Sequence, residues 1–302
     1  MPRTPSRARG TLGVALVLAA LGGPLLLPGR AQPAADVARG RYIFGAAGGC
    51  GCHTVPGQPP NSGGRRYDGP FGTVYSTNIT PDRETGIGGW TDEQIITAIR
   101  LGRRPNGERL IPVHPYPVFN GMAEEDLRAL VAFLRTVPPV RRPNQPKRIT
   151  VPFFESVFLP AWLAAFAPRE TPPPRAPTAG LARGEYLVRA VGHCGECHTP
   201  RTVTMAPDQS RFLAGNPRGP ENSVVPNITP DRETGLTWSE EEIAEYLGTG
   251  NKPDGDVAGG LMGEVIQGTL AGYRDMTLAD RLAIARYLKS IPPVRHRVTR
   301  TP

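Results

Sequence analysis

Apolar positions recur along this chain at helical spacing. Leu127, Leu130, Val131 and Leu134 share one helical face, and Leu282, Ile284, Ala285 and Leu288 correspond to them. Both segments stop at a Pro-Pro pair, Pro138-Pro139 and Pro292-Pro293, where a helix loses its donor. Upstream of each, a second helix is predicted to start at Thr91-Asp92-Glu93-Gln94 and at Ser239-Glu240-Glu241-Glu242. Each start places a hydroxyl residue three before Gln or Glu, the capping-box pattern. Trp90 and Trp238 precede these caps, with Ile95 and Ile243 placed to close a hydrophobic staple. An opening helix is expected through Tyr42 and again through Tyr186. No run alternates convincingly at strand period, so the predicted class is all-α. One apolar stretch, 151–167, contains Pro152, Glu155 and Pro160, and is expected to pack against protein.

The matched helices belong to a wider duplication. Asn78-Ile79-Thr80-Pro81-Asp82-Arg83-Glu84-Thr85-Gly86 recurs unchanged as Asn227 to Gly235. Ala38-Arg39-Gly40-Arg41-Tyr42 returns as Ala182-Arg183-Gly184-Glu185-Tyr186, and the stretch from Leu134 to Val140 is echoed from Leu288 to Val294. Three blocks in one order imply two copies of a domain, 32–148 and 179–302. A connector, 149–178, ends in the Pro-rich spacer from Glu170 to Pro177.

The amino terminus has targeting chemistry. Arg3, Arg7 and Arg9 precede an apolar run from Leu12 to Leu27, and Gly29-Arg30-Ala31 offers a small-x-small cleavage site. Residues 1–31 are expected to be a signal peptide that sends the chain to the periplasm. The rival is an uncleaved anchor, against which Gly22, Gly23 and Pro24 interrupt the run. Losing this segment with its four arginines (Arg30 included) lowers the formal charge from +8 to +4, too small and dispersed to argue for nucleic acid. With 36 glycines and 35 prolines, each half has a thin apolar core that a large buried cofactor would complete.

The cysteines supply that cofactor. Cys194-Gly195-Glu196-Cys197-His198 is a C-x-x-C-H attachment sequence for c-type haem. Two thiols on one turn add across the haem vinyl groups, and His198 stands as proximal iron ligand. The alternatives are a disulfide between Cys194 and Cys197, or half of a zinc site. The first copy reads Cys50-Gly51-Cys52-His53, one residue shorter between the cysteines. Haem is expected there too, with His53 proximal and attachment through Cys50 and Cys52, or through Cys52 alone.

Register locates the distal ligands. Trp238 to Met262 is 24 residues and Trp90 to His114 is also 24. Met262 is therefore the expected distal ligand of the second iron and His114 that of the first, with Met122 as the alternative. Thioether ligation raises the iron potential relative to imidazole, so electrons should run from the first haem to the second. Six-coordinate irons favour electron transfer. The alternative is a haem enzyme acting on a small sulfur or peroxide substrate.

These residues resemble the multi-haem class I c-type cytochrome subunits of bacterial periplasmic alcohol, gluconate and aldehyde dehydrogenase complexes. The matching elements are the Tyr-to-Cys-His helix, the Asn-Ile-Thr-Pro-Asp-x-x-Thr-Gly block with its following Trp, and the helix ending in Pro-Pro-Val. They cover nearly all of Ala35 to Val294. The resemblance implies two tandem class I cytochrome c domains, each with one covalent haem c. It also implies a dehydrogenase as electron donor, a cytochrome or terminal oxidase as acceptor, and membrane association through a complex. In that family Met stands where Ile111-Pro112-Val113-His114-Pro115-Tyr116 has His114. The usual complexes carry three haems, and only two motifs exist here. The repeated asparagines, Arg83 and Arg232 could bond haem propionates or serve as turn residues.

Overall fold

The computed structural model describes Met1, residues 34–167 and residues 170–299. Apart from Met1, the expected signal peptide lies outside the described residues. The first half runs through α1 (Ala34–Ala46), β1 (Arg66–Gly69), β2 (Gly72–Tyr75), α2 (Asp92–Leu101), α3 (Tyr116–Phe119), α4 (Glu124–Leu134) and β3 (Arg148–Ile149). The connector forms α5 (Leu159–Phe166). The second half follows with α6 (Gly180–Tyr186), α7 (Cys194–His198), α8 (Glu240–Thr249), α9 (Gly260–Gln267) and α10 (Leu278–Ser290). Among the described residues, no helix is long and apolar enough to cross a membrane.

The same packing occurs twice: α1 lies on α4 and α6 on α10, while α2 meets α4 and α8 meets α10. Glycine makes the first pair of crossings possible. A Cβ on Gly40 would sit 1.9 Å from the Ala129 carbonyl oxygen, and one on Gly184 would sit 2.0 Å from that of Ala283. Both predicted capping boxes form. Thr91 Oγ1 accepts from the Gln94 amide at 3.2 Å while Gln94 Oε1 accepts from Thr91 at 2.9 Å. Ser239 and Glu242 repeat the exchange at 3.1 and 2.7 Å. Each box satisfies two orphan donors, and losing such a cap costs about 1 kcal/mol.

The all-helical expectation is corrected by a small antiparallel sheet. β1 pairs with β2 from Arg66↔Tyr75 to Gly69↔Gly72, and β2 pairs with β3 from Gly72↔Ile149. Four-residue strands such as Arg66-Tyr67-Asp68-Gly69 are too short for alternation to register, and neither face is fully buried. A second correction concerns 151–167. Leu159 is buried, but Phe153, Val157, Phe158 and Phe166 are 75%, 55%, 55% and 45% exposed. Besides Leu159, the segment is held where Phe154 stacks on Phe71 at 5.5 Å, where Trp162 Nε1 donates to the Thr204 carbonyl at 2.7 Å, and where Glu155 pairs with Lys147.

The halves share one apolar core, in which Ile43, Phe44, Met122 and Leu127 join Leu187, Val188, Val191 and Ile266. Reciprocal polar contacts lock them. Tyr42 of the first half donates to Asp280 of the second at 2.6 Å, and Tyr186 of the second donates to Asp126 of the first at 2.6 Å. Arg183 completes the Asp280 cluster at 2.6 Å and Arg39 the Asp126 cluster at 2.7 Å. Backbone amides of Thr277 and Ala123 donate to the same two hydroxyls. Buried carboxylates require such partners.

Candidate haem-binding sites

The two motifs reach their positions by different backbones. In the second half, His193 takes a left-handed conformation (φ 40°, ψ 38°) and Cys194 to His198 then form the single helical turn α7. In the first half, the chain one residue shorter turns through three left-handed residues in succession. These are Gly48, Gly49 and Cys50, with φ 79°, 64° and 48°. The tighter 3₁₀ turn from Gly48 to His53 follows from that shortening. Side chains hold its carbonyls: Arg65 Nη1 donates to Gly51 at 3.2 Å and the Tyr67 hydroxyl to Cys52 at 3.1 Å. None of the four cysteines is in a disulfide. Among the described residues, no three His, Cys, Asp or Glu side chains gather as a metal site.

Both motif histidines are fixed alike. His53 Nδ1 donates to the Thr77 carbonyl at 2.7 Å, and His198 Nδ1 to the Pro226 carbonyl at 2.8 Å. Each bond commits the proton to Nδ1 and leaves the Nε2 lone pair for a metal. Burial lowers both imidazoles below their ordinary pKa, against the opposing pull of those carbonyl bonds, so the neutral, ligating form is favoured.

The carbonyls of Thr77 and Pro226 are set in place by the repeated block. Asn78 Nδ2 donates to the Val140 carbonyl at 2.7 Å while its Oδ1 accepts from the Thr80 amide at 2.9 Å. Asn227 does the same with Val294 at 2.8 Å and Thr229 at 2.9 Å. The asparagines therefore tie the backbone behind each motif histidine to the strap after the last helix. Arg83 and Arg232 are exposed.

The loops after α2 and α8 are alike. Leu110 N donates to Gly102 O at 2.7 Å, and Ala258 N to Gly250 O at 2.7 Å. His114 stands four residues after Leu110 and Met262 four after Ala258. The His114 ring faces His53 with centroids 6.3 Å apart and planes at 78°. Burial, then the neighbouring His53 and His193, push the His114 pKa down to about 3. Met122 is fully buried among Ile43, Phe44 and Leu127. Met262 is partly buried on α9, whose Val265 side chain lies against Gly48 of the first motif turn.

The residues fit the group the motifs imply. Two metal–imidazole bonds of about 2 Å each, with the reach of each ring from centroid to nitrogen, span a gap like that between His53 and His114. Beside His53, Asn61 is fully buried with both side-chain polar atoms unpartnered. Its counterpart in the second half is the apolar Leu213, since Asn61 N and Leu213 N each donate to the threonine after the motif histidine. A buried, unsatisfied carboxamide calls for a polar partner, which a haem edge would supply. Cys52 and Cys197 neighbour each other, and after burial it is the Cys52 thiol that does most to push Cys197 up, to about 12. Arg65 bridges the turns, bonding Glu221 and Glu264 of the second half at 2.7 Å each. Sequence reasoning did not single out Asn61 or Arg65; the change from Leu213 to Asn61 between the copies was the available signal.

No protein-family model matches the chain. Among curated proteins, it is 39% identical over 308 residues to a diheme cytochrome c-type protein of Cereibacter sphaeroides, covering 94% of this chain and 98% of that one. This chain belongs to the dihaem c-type cytochromes. The cytochrome c subunit of gluconate 2-dehydrogenase from Pantoea cypripedii is 38% identical over 92% of this chain. The cytochrome c subunit of alcohol dehydrogenase (quinone) from Gluconobacter oxydans is 38% identical over 85%. The match spans 64% and 55% of those two relatives. As a dihaem c-type cytochrome, the chain holds two covalently bound haems c. It carries electrons and is not itself a catalytic subunit.

Proposed function

We propose that this dihaem cytochrome works in the periplasm, accepting electrons from a dehydrogenase partner and passing them to another cytochrome or a terminal oxidase. Two tandem haem modules, 32–148 and 179–302, divide the task. Cys194, Cys197 and His198 hold the second haem, with Met262 distal. Cys50, Cys52 and His53 hold the first, with His114 distal. The single observation that carries the relay reading is the apposition of the His53 and His114 rings at 6.3 Å. An iron between two imidazoles has no position left for substrate, and bis-imidazole ligation sets its potential below that of a His-Met iron. Electrons then enter at the first haem and leave from the second.

The exposed apolar surface of Phe153, Val157, Phe158 and Phe166 supports docking onto the dehydrogenase, through which the chain joins a membrane-associated complex. Its one acid, Glu155, is neutralised by Lys147, and an uncharged apolar centre suits a protein interface. The test is the ferric spectrum of the purified holoprotein, followed by mixing with a substrate-reduced dehydrogenase. Two low-spin irons, one bis-imidazole and one sulfur-ligated, with rapid haem reduction are expected. A high-spin resting iron, or a His114→Ala variant with unchanged spectrum and potential, overturns the ligand assignment. Failure of every periplasmic quinoprotein or flavoprotein dehydrogenase tried to reduce the haems overturns the partner.

A further inference from the structure

Three rings run in contact from one site to the other. Phe119 lies 5.4 Å from His114, centroid to centroid, and 5.2 Å from His193, with its plane at 81° to the latter. His193 is bonded covalently to Cys194, the first attachment cysteine of the second motif. The chain thus places a packed aromatic link between the distal histidine of the first haem and a thioether of the second.

The backbone argues that His193 is there for its side chain. Its left-handed conformation (φ 40°) strains a non-glycine residue. The first half fills the same position, one before the leading cysteine, with Gly49 at φ 64°. A Cβ there would lie 2.3 Å from the Ala271 carbonyl oxygen. Nothing in the attachment motif calls for a histidine before its first cysteine, and glycine would relieve the strain. Instead the imidazole is kept, bonded to the Ala47 backbone at the end of α1. The duplication also offers the link only once. Tyr273 holds the place of Phe119 in the second half, since Met122 N bonds Phe119 O at 3.0 Å and Met276 N bonds Tyr273 O at 2.9 Å. Its hydroxyl donates to Gly192 of its own half at 3.3 Å.

We propose that Phe119 and His193 are positioning residues for electron transfer between the haems, setting the coupling from His114 to Cys194. This rests on the reading of His114 as distal ligand. One electron leaves the ferrous first iron, which becomes ferric, and reduces the ferric second iron to ferrous. Neither ring changes redox state and no proton moves.

The experiment uses holoprotein. A photoactivated reductant injects one electron, and its redistribution between the two haem spectra is timed, with both midpoint potentials measured separately. Phe119→Leu and His193→Gly should each slow the redistribution several-fold, with potentials and low-spin spectra unchanged. Phe119→Tyr should restore the rate, and His193→Gly should melt no lower than the parent, because glycine suits that backbone. Unchanged rates in both variants overturn the link while leaving a bis-imidazole ferric signal intact. Sulfur ligation at both irons of the parent overturns the ligand reading, and the link with it.

Discussion

Gly40→Ala tests whether the helix crossing that opens the first half is as close as described. The added methyl would sit 1.9 Å from Ala129 O and 2.8 Å from Phe133 Cβ, against ordinary contact from 3.4 Å. The nearest obstacle is backbone, so no rotamer change relieves it and α1 must draw back from α4. Overpacking of this kind costs about 1–3 kcal/mol, and a backbone obstacle puts the site at the top of that range. Alanine returns about 1 kcal/mol of helix propensity, leaving a net loss of about 2 kcal/mol. With about 2.1 cal/mol/K of unfolding entropy per residue, a chain of 302 residues then melts about 3 °C lower. Thermal unfolding of the holoprotein, followed by far-ultraviolet circular dichroism and the Soret band, reads the effect. Gly259→Ala is the control, since nothing lies within 4 Å of that Cβ and its φ is −107°. If both variants melt together, the crossing is looser than described and the reasoning fails. The helix leads into the first motif, so the Soret band of the first haem should broaden before the second is affected.

Other outcomes are expected from the same geometry. Cys50→Ala should keep two haems by intact mass, because Cys52 adjoins His53, whereas Cys52→Ala should lose the first haem. Tyr186→Phe leaves the fully buried Asp126 without its hydroxyl partner and should destabilise the chain by about 1.5–3 kcal/mol in denaturant titration; Tyr42→Phe should cost less, its site being more open. The carboxyl of Asp280 is raised by burial but lowered further by Arg183 and Tyr42, for a net depression below 3.8. A depressed folded-state pKa gives stability that is complete above the unfolded value and lost as pH falls through the folded one. Acid unfolding of the parent should therefore steepen below about pH 3.8, and Asp280→Asn should flatten that limb while lowering stability at neutral pH.

Much of this architecture was readable from the chain because its signals are local. Thr91 and Gln94, or Ser239 and Glu242, lie three residues apart and carry their own capping geometry. The spacing from Trp90 to His114 matches that from Trp238 to Met262 because both loops turn back at the same point. What escaped was nonlocal or too short. β1 and β2 have four residues each, too few for a period to appear. The apolar stretch 151–167 reads by composition as packed against protein, yet Leu159 alone of its described side chains is fully buried. Phe119 and His193 are far apart in sequence and meet only because the halves pack on each other. The left-handed turn through Gly48, Gly49 and Cys50 answers a one-residue deletion whose backbone consequence no propensity scale encodes.

The exchanged tyrosines bear on how this duplication can still be taken apart. Each half lends a phenol to a carboxylate that the other half buries, so cutting at the connector would strand Asp126 and Asp280 with an arginine each and no hydroxyl. An ancestral single module paired as a symmetric homodimer would have made both contacts already. The handshake fixes the orientation of the two copies, and either copy expressed alone should pellet with the insoluble fraction.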